Sequence, residues 1–159
     1  MSPHPPAMKP RLATQTDAAS WLEVVAEVEP LFGPMPDFGL TLLRKIEERA
    51  AFCVRSDEED PSAKVLGGML LGGTPDHGWI RWLAVRSSAR RLGVGRSLVE
   101  AAIEQMASAR TISLDTFRED NLAGRPARRL YERTGFIAGP LVGPQDMPRQ
   151  RFELVLRKA

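Results

Sequence analysis

The sequence predicts an α/β fold: a mixed α+β sheet flanked by helices, with elements in the order β-α-α-β-β-β-α-β-α-β-β. Three observations predict it. Trp79, Ile80, Trp82, Leu83, Ala84 and Val85 make a nearly unbroken apolar run, as in a strand buried on both faces. That run stops at Arg86-Ser-Ser88; the Gly-rich turn Arg90-Arg-Leu-Gly-Val-Gly95 follows, and Val94, Leu98, Ala102 and Met106 then recur at helical spacing. Thr111–Phe117 alternates cleanly, with Ile112, Leu114 and Thr116 on one face and Thr111, Ser113, Asp115 and Phe117 on the other.

Taken in order, residues 1–8 read as a disordered N-terminal tail without a hydrophobic signal core, and 9–159 as one domain. Lys9–Gln15 reads as a first strand. Thr16-Asp17 offers an N-cap to a helix striped by Trp21, Leu22, Val25 and Val28, ending near Glu29-Pro30. Phe32-Gly-Pro-Met-Pro36 is a break. A second helix starts near Asp37 and turns Leu42, Leu43, Ile46 and Ala50 inward. The apolar residues of both stripes are core; the Phe32–Phe38 break is the better candidate for shaping a pocket.

Ala51–Arg55 and Lys64–Leu71 form a hairpin across the acidic turn Asp57–Ser62. Gly67-Gly68 and Gly72-Gly73 suggest bulges or close backbone approach. Thr74–Gly78 leads into the central strand. After the helix Val94–Ser108 and the strand at Thr111, Arg118–Gly124 is a polar loop. Pro126 suits the first turn of a helix carrying Ala127, Leu130 and Tyr131, and Gly135 stands where a C-cap glycine is expected. Phe136–Val142 and Arg151–Arg157 make a last pair of strands, an edge at which a homodimer would form.

Composition bounds the function. Net charge is +2, but residues 79–134 carry +5 and the remainder −3. The basic half contains the Gly-rich turn, which suits an anionic small ligand. No aromatics interleave with the basic residues of Arg86–Arg96, which excludes a nucleic-acid stripe. No apolar run is long enough to span a membrane. Cys53 is the only cysteine, so no internal disulfide forms, and its apolar strand setting favours a buried structural thiol in a reducing cytoplasm.

The order strand, Gly-rich turn, helix has a chemical meaning. A helix start presents backbone N–H groups without helical partners and a partial positive charge. Gly93 and Gly95 remove Cβ atoms that would block a ligand, and Arg90, Arg91 and Arg96 add full charges. Together they form a receptor for a phosphate or pyrophosphate. It is not a P-loop, because no Gly-Lys-Ser/Thr follows. Nor is it a dinucleotide fingerprint, because Leu98 stands where a third small residue belongs.

Arg90-Arg-Leu-Gly93-Val-Gly95 resembles the acyl-CoA loop of the GNAT superfamily of N-acetyltransferases, with signature Gln/Arg-x-x-Gly-x-Gly/Ala. Leu83-Ala-Val85 matches that family's usual strand ending. Ala127-Arg-Arg-Leu-Tyr131-Glu-Arg-Thr-Gly-Phe136 is similar to its helix-to-strand segment, where a Tyr precedes Gly-Phe by four residues. The resemblance covers essentially the whole chain and is strongest from Trp79 to Phe136. It implies a sheet that splays open after the fourth strand and admits the pantetheine arm of the acyl donor. Leu83, Ala84 and Val85 would line that arm. Arg90, Arg91, Leu92, Gly93, Val94, Gly95, Arg96 and Ser97 would hold the phosphates. Tyr131, the only tyrosine, would protonate the leaving thiolate, and the backbone N–H around Val85 would serve the oxyanion.

The chain also departs from the family pattern. Gly124 stands at the spacing where many members place an Asn; Asn121 keeps that pantetheine role only if the loop is expanded by three residues. Arg125, Arg128 and Arg129 are either phosphate ligands or a solvated helix face, with Arg128 placed among the ligands. Trp79 stands where some members carry a Glu base. The general base is therefore open among Asp76, His77, Asp37, Glu29, Asp115 and water.

The resemblance implies an acetyl-CoA-dependent N-acetyltransferase acting by direct attack of a primary amine of a small molecule or peptide, without a metal. Two rivals are a non-catalytic acyl-CoA-binding module on the same fold, and a nucleotide-binding protein that uses the Gly-rich turn differently.

Overall fold

The computed structural model describes residues 8–157, so the expectation for a tail at 1–8 falls almost wholly outside the described residues. The elements are β1 (Arg11–Leu12), α1 (Ala18–Phe32), α2 (Phe38–Glu47), β2 (Ala51–Arg55), β3 (Val65–Gly73), β4 (His77–Val85), α3 (Val94–Gln105), β5 (Thr111–Thr116), α4 (Arg125–Arg133), β6 (Ile137–Val142) and β7 (Arg149–Val155). The predicted order holds throughout. The strands make one mixed sheet in the order β1-β2-β3-β4-β5-β7-β6. Two compact units divide the chain: one takes the residues up to Leu70 and Trp82–Leu98, the other Leu71–Arg81 and the residues from Val99 on.

In the first unit β1 pairs antiparallel with β2, and β2 with β3. Trp21, Val24, Val25 and Val28 of α1 meet Phe38 and Leu42 of α2 and Ala51, Cys53, Val65 and Leu70 of the strands. Trp82, Phe32 and Phe38 close this core as an aromatic cluster, with Trp82 4.8 Å from Phe38 and 6.0 Å from Trp21 between ring centroids. Of the four glycines of β3, Gly67 and Gly68 admit a close approach, and the β2–β3 register shifts beside Gly67, between Val54 and Arg55. A Cβ at Gly68 would lie 2.5 Å from the Trp21 ring, and one at Gly67 2.8 Å from Val94 and 3.0 Å from the Ala84 carbonyl.

Three local expectations change here. α1 runs past Pro30 to Phe32, because a proline in the last turn forfeits only its own N–H, while Phe32 gains an edge-on contact with Trp82. Gly33, at φ 92°, ends the helix. Leu43 points outward, whereas Phe38 and Leu42 are buried and Ile46 packs half-buried against the core. Asp17 does not cap α1 through its side chain. Its carboxylate accepts from the Thr14 N–H at 2.8 Å and from Arg55 Nε and Nη2 at 2.8 and 2.7 Å, fully inside the unit. Burial opposes that charge, but Arg55 and Thr14 outweigh it and hold the Asp17 carboxyl below the usual carboxylate range.

In the second unit β4 pairs parallel with β5, but only over His77↔Thr111, Gly78↔Ile112 and Trp79↔Ser113. This pairing takes in the first three residues of β4. β5 pairs antiparallel along its whole length with β7, and β7 with β6. The β6–β7 register shifts between Ala138 and Leu141, so Gly139 and Pro140 bulge out of the ladder.

β4 is not buried on both faces. Gly78, Ile80 and Ala84 are buried, whereas Trp79, Leu83 and Val85 are half-exposed and Arg81 is exposed. The apolar run misleads at Trp79, whose ring is covered by cations: the Arg81 and Arg151 guanidinium carbons stand 4.6 and 4.8 Å from its centroid.

Candidate active site

The end of β4 turns into α3 through a short, well-anchored loop. Ser87–Ala89 makes one 3-10 turn, with Ala89 buried beneath it. The chain then reverses through two left-handed residues, Arg91 at φ 71° and Gly93 at φ 82°. Glycine takes that conformation without a Cβ penalty, so the turn favours a glycine at Gly93. The Gly93 carbonyl accepts the Ser97 N–H at 3.0 Å and so opens α3. Val94 and Leu98 plug the helix into the first unit, and Arg90, Arg91, Leu92, Gly93 and Arg96 face solvent. A Cβ built on Gly93 meets nothing within 4 Å, so the space in front of the loop is open. An exposed helix start, flanked by exposed guanidinium groups and open to solvent, fits a phosphate or pyrophosphate.

Arg86 fixes the root of this loop. Its side chain is buried at the end of β4 and donates through Nε to the Val65 carbonyl at 2.9 Å and through Nη2 to the Ser20 carbonyl at 3.1 Å. Its Nη1 faces Glu23 Oε1 at 3.1 Å and Glu27 Oε2 at 3.8 Å. The Ser87 N–H, the first donor of the loop, donates to Glu27 Oε1 at 2.8 Å. That hydrogen bond holds the Glu27 carboxyl below its ordinary range against its partial burial, with help from Arg86 and Arg90.

In the second unit Tyr131 sits on α4 with 6% of its surface exposed. Its ring meets Phe136 and Phe152 edge-on, at 6.0 and 6.3 Å between centroids. Its carbonyl accepts the Phe136 N–H at 3.0 Å, and Gly135 at φ 102° closes the helix as expected. Burial pushes the Tyr131 phenol above its ordinary value.

Residues 19–136 match the model of the acetyltransferase (GNAT) family. The chain belongs to that family. Solved structures agree with the fold at low identity. Ard1 from Thermoplasma volcanium superposes with a TM-score of 0.75 at 17% identity, over 94% of this chain and 98% of that one. The protein yncA from Salmonella typhimurium, solved with its cofactor acetyl-CoA, gives 0.74 at 16% identity over 96% of each chain. A chain of the NatC complex bound to Gag peptide and CoA gives 0.72 at 22% identity, over 91% of this chain and 93% of that one. No curated protein sequence matches.

Within this GNAT chain the remaining candidates separate by what holds them. Asn121 Oδ1 accepts the Gly124 N–H at 3.1 Å and caps the turn that leads into α4. Arg128 departs from the expectation of a phosphate ligand. It is 8% exposed, donates to the Phe117 carbonyl at 2.9 Å and to Gln150 Oε1 at 2.5 Å, and lies over the Phe152 ring. These partners turn it into the unit's interior. Arg125 and Arg129 of the same helix are exposed.

Among the candidate bases, Asp115 is taken by a two-point contact with Arg151 at 2.8 and 3.1 Å, and Asp76 faces Arg110 at 3.3 Å. His77 Nε2 lies 2.6 Å from Ser113 Oγ, which also reaches Glu153 at 3.4 Å. Cys53 is buried, and burial pushes its thiol up to about 12, which fits a structural residue. No helix among the described residues is long and apolar enough to cross a membrane.

Sequence reasoning missed Arg86 and its partners. A signal existed: Ser20, Glu23 and Glu27 recur at i, i+3 and i+7 on α1, a polar stripe beside the apolar one.

Proposed function

We propose that this chain is an N-acetyltransferase that moves an acetyl group from acetyl-CoA to a primary amine of a small molecule or peptide by direct attack. The observation that carries the reading is the β4–α3 loop. Its left-handed Gly93 leaves open space in front of an exposed helix start, with Arg90 and Arg91 exposed beside it. That is the chemistry of a diphosphate receptor, in a chain of the acetyltransferase family. Two structures of similar fold contain acetyl-CoA or CoA.

In this reading Arg90–Ser97 hold the pyrophosphate, through the backbone N–H groups of the loop and helix start and through the arginines. Leu83, Ala84 and Val85 line the pantetheine arm, and the Val85 N–H serves the developing oxyanion. The bound thioester supplies an electrophilic carbonyl and a thiolate leaving group. Tyr131, a phenol protonated at neutral pH, donates a proton to the leaving sulfur, and the proton shed by the attacking amine passes to the general base or to water. Asn121 holds its turn, and Arg128 is left out of the phosphate set. Residues 9–159 act as one acyltransferase domain, and the single buried cysteine suits a reducing cytoplasm.

Calorimetric titration with acetyl-CoA, with ATP and NAD as controls, tests the reading, followed by thiol release across a panel of amines. Selective acetyl-CoA binding and amine-dependent thiol release are expected. Tyr131→Phe should lower kcat by about 10²–10⁴ with acetyl-CoA affinity nearly unchanged. Binding without turnover on any amine would favour the non-catalytic module, and ATP or NAD binding without acetyl-CoA would favour the nucleotide reading.

A further inference from the structure

Glu27 lies on α1, far in sequence from the Gly-rich turn, and the acetyltransferase reading gives it no part. Its two oxygens nevertheless hold the start of the loop. Oε1 accepts the Ser87 N–H at 2.8 Å, and Oε2 faces Arg86 Nη1 at 3.8 Å. Arg86 in turn is locked to β3 through the Val65 carbonyl and to the first turn of α1 through the Ser20 carbonyl. The Arg86 N–H donates to the Leu66 carbonyl at 2.6 Å. The last fixed point of β4 and the first donor of the loop are thus pinned to one helix.

We propose that Glu27 is a positioning residue for cofactor binding: it caps the Ser87–Ala89 turn from α1 and so presets the path of Arg90–Gly93 before acetyl-CoA arrives. This rests on the cofactor reading above. The physical reason is preorganisation. The Ser87 N–H is an end-of-turn donor with no partner inside its own turn, and a carboxylate is the strongest acceptor available for it. A loop held in its binding conformation does not lose that freedom on binding, so the affinity gain appears without any contact to the ligand.

A competing effect has the opposite sign. Glu27 is negative and close enough to Arg90 to be felt by it. As a mere counter-ion it would weaken the attraction for phosphates, and its removal would tighten binding. The two roles separate by substitution. Glu27→Gln keeps an oxygen for the Ser87 N–H and drops the charge. Glu27→Ala drops both. Glu23→Ala removes the closer carboxylate of Arg86 at 3.1 Å but leaves the Ser87 contact intact.

Titration with acetyl-CoA, steady-state kinetics and amide hydrogen exchange across residues 86–93 without ligand form the test. Glu27→Ala is expected to raise Kd and KM for acetyl-CoA about tenfold at unchanged kcat, and to speed exchange in the loop. Glu27→Gln is expected to bind at least as tightly as the parent chain, with slow exchange, and Glu23→Ala to match the parent in both. The proposal is overturned if Glu27→Ala binds as tightly as Glu27→Gln, if its loop exchange is unchanged, or if Glu23→Ala weakens binding equally. Failure of the parent chain to bind acetyl-CoA overturns the cofactor reading instead, and loop exchange still tests the latch.

Discussion

Asp17→Asn removes one charge from a pair that water does not reach. The Asp17 and Arg55 side chains are 0% and 7% exposed, and two hydrogen bonds of 2.8 and 2.7 Å join them. The substitution leaves the Arg55 guanidinium buried without its counter-ion. Stranding one partner of a buried pair costs about 3–5 kcal/mol. At roughly 2–4 °C per kcal/mol for a chain of this size, Tm should fall by about 6–20 °C. The comparison variant is Asp76→Ala, which breaks an exposed pair with Arg110 and should change stability by less than about 1 kcal/mol. Urea unfolding followed by tryptophan fluorescence, repeated across pH, measures both. The sign with pH follows from the depressed Asp17 carboxyl. Its stabilisation is complete above the unfolded-state value of about 3.9 and is lost as pH falls through the folded value. The gap between parent and Asp17→Asn should therefore be flat from neutral pH to about 5 and close in acid. A loss below about 1 kcal/mol at pH 7, or a gap that widens in acid, would refute the reasoning.

Three further outcomes are expected. Arg128→Met strands the Phe117 carbonyl and Gln150, so urea unfolding should show a loss of about 2–3 kcal/mol while acetyl-CoA affinity changes less than twofold; the reverse pattern would restore Arg128 as a phosphate ligand. With its thiol pushed up to about 12, Cys53 should resist a thiol reagent at pH 8 in the folded chain and react once urea unfolds it; rapid reaction of the folded chain would contradict its burial. Gly93→Val should lose about 1–2 kcal/mol and Gly93→Asn distinctly less, because the cost is the left-handed backbone and not a packing clash; equal losses would point to packing instead.

The elements that sequence could read are those whose residue types answer a local demand. Gly135 ends α4 because the chain needs a positive φ there, and Pro126 starts it because a first-turn N–H is dispensable. The Gly-rich turn is legible as a turn too, although the sequence asks its glycines only for open space and the structure adds a left-handed backbone at Gly93. Contacts between distant residues were hidden. Asp17 reads as a cap from its neighbours, yet Arg55, 38 residues on, captures it. Arg128 reads as a free cation on an amphipathic helix, yet a carbonyl and an aromatic ring draw it inside. Nothing local in Arg86-Ser87 announces that Glu27, 60 residues earlier, will hold it. The faces of β4 were misjudged because hydrophobicity cannot tell an indole packed in a core from one roofed by guanidinium groups.

The bulge in β6 bears on how copies of this chain can meet. A sheet that ends in an open strand offers every passing chain a ladder to extend, and crowded solutions punish such an edge. β6 is the last strand of the order, and Ile137 and Leu141 are exposed on it. Pro140 brings no N–H to the edge, and the extra residue throws the register out of step on either side of it. The carbonyl of Gly139 is already spent on Gln150 Nε2 at 2.9 Å. An incoming strand would find neither a continuous row of donors nor a constant spacing.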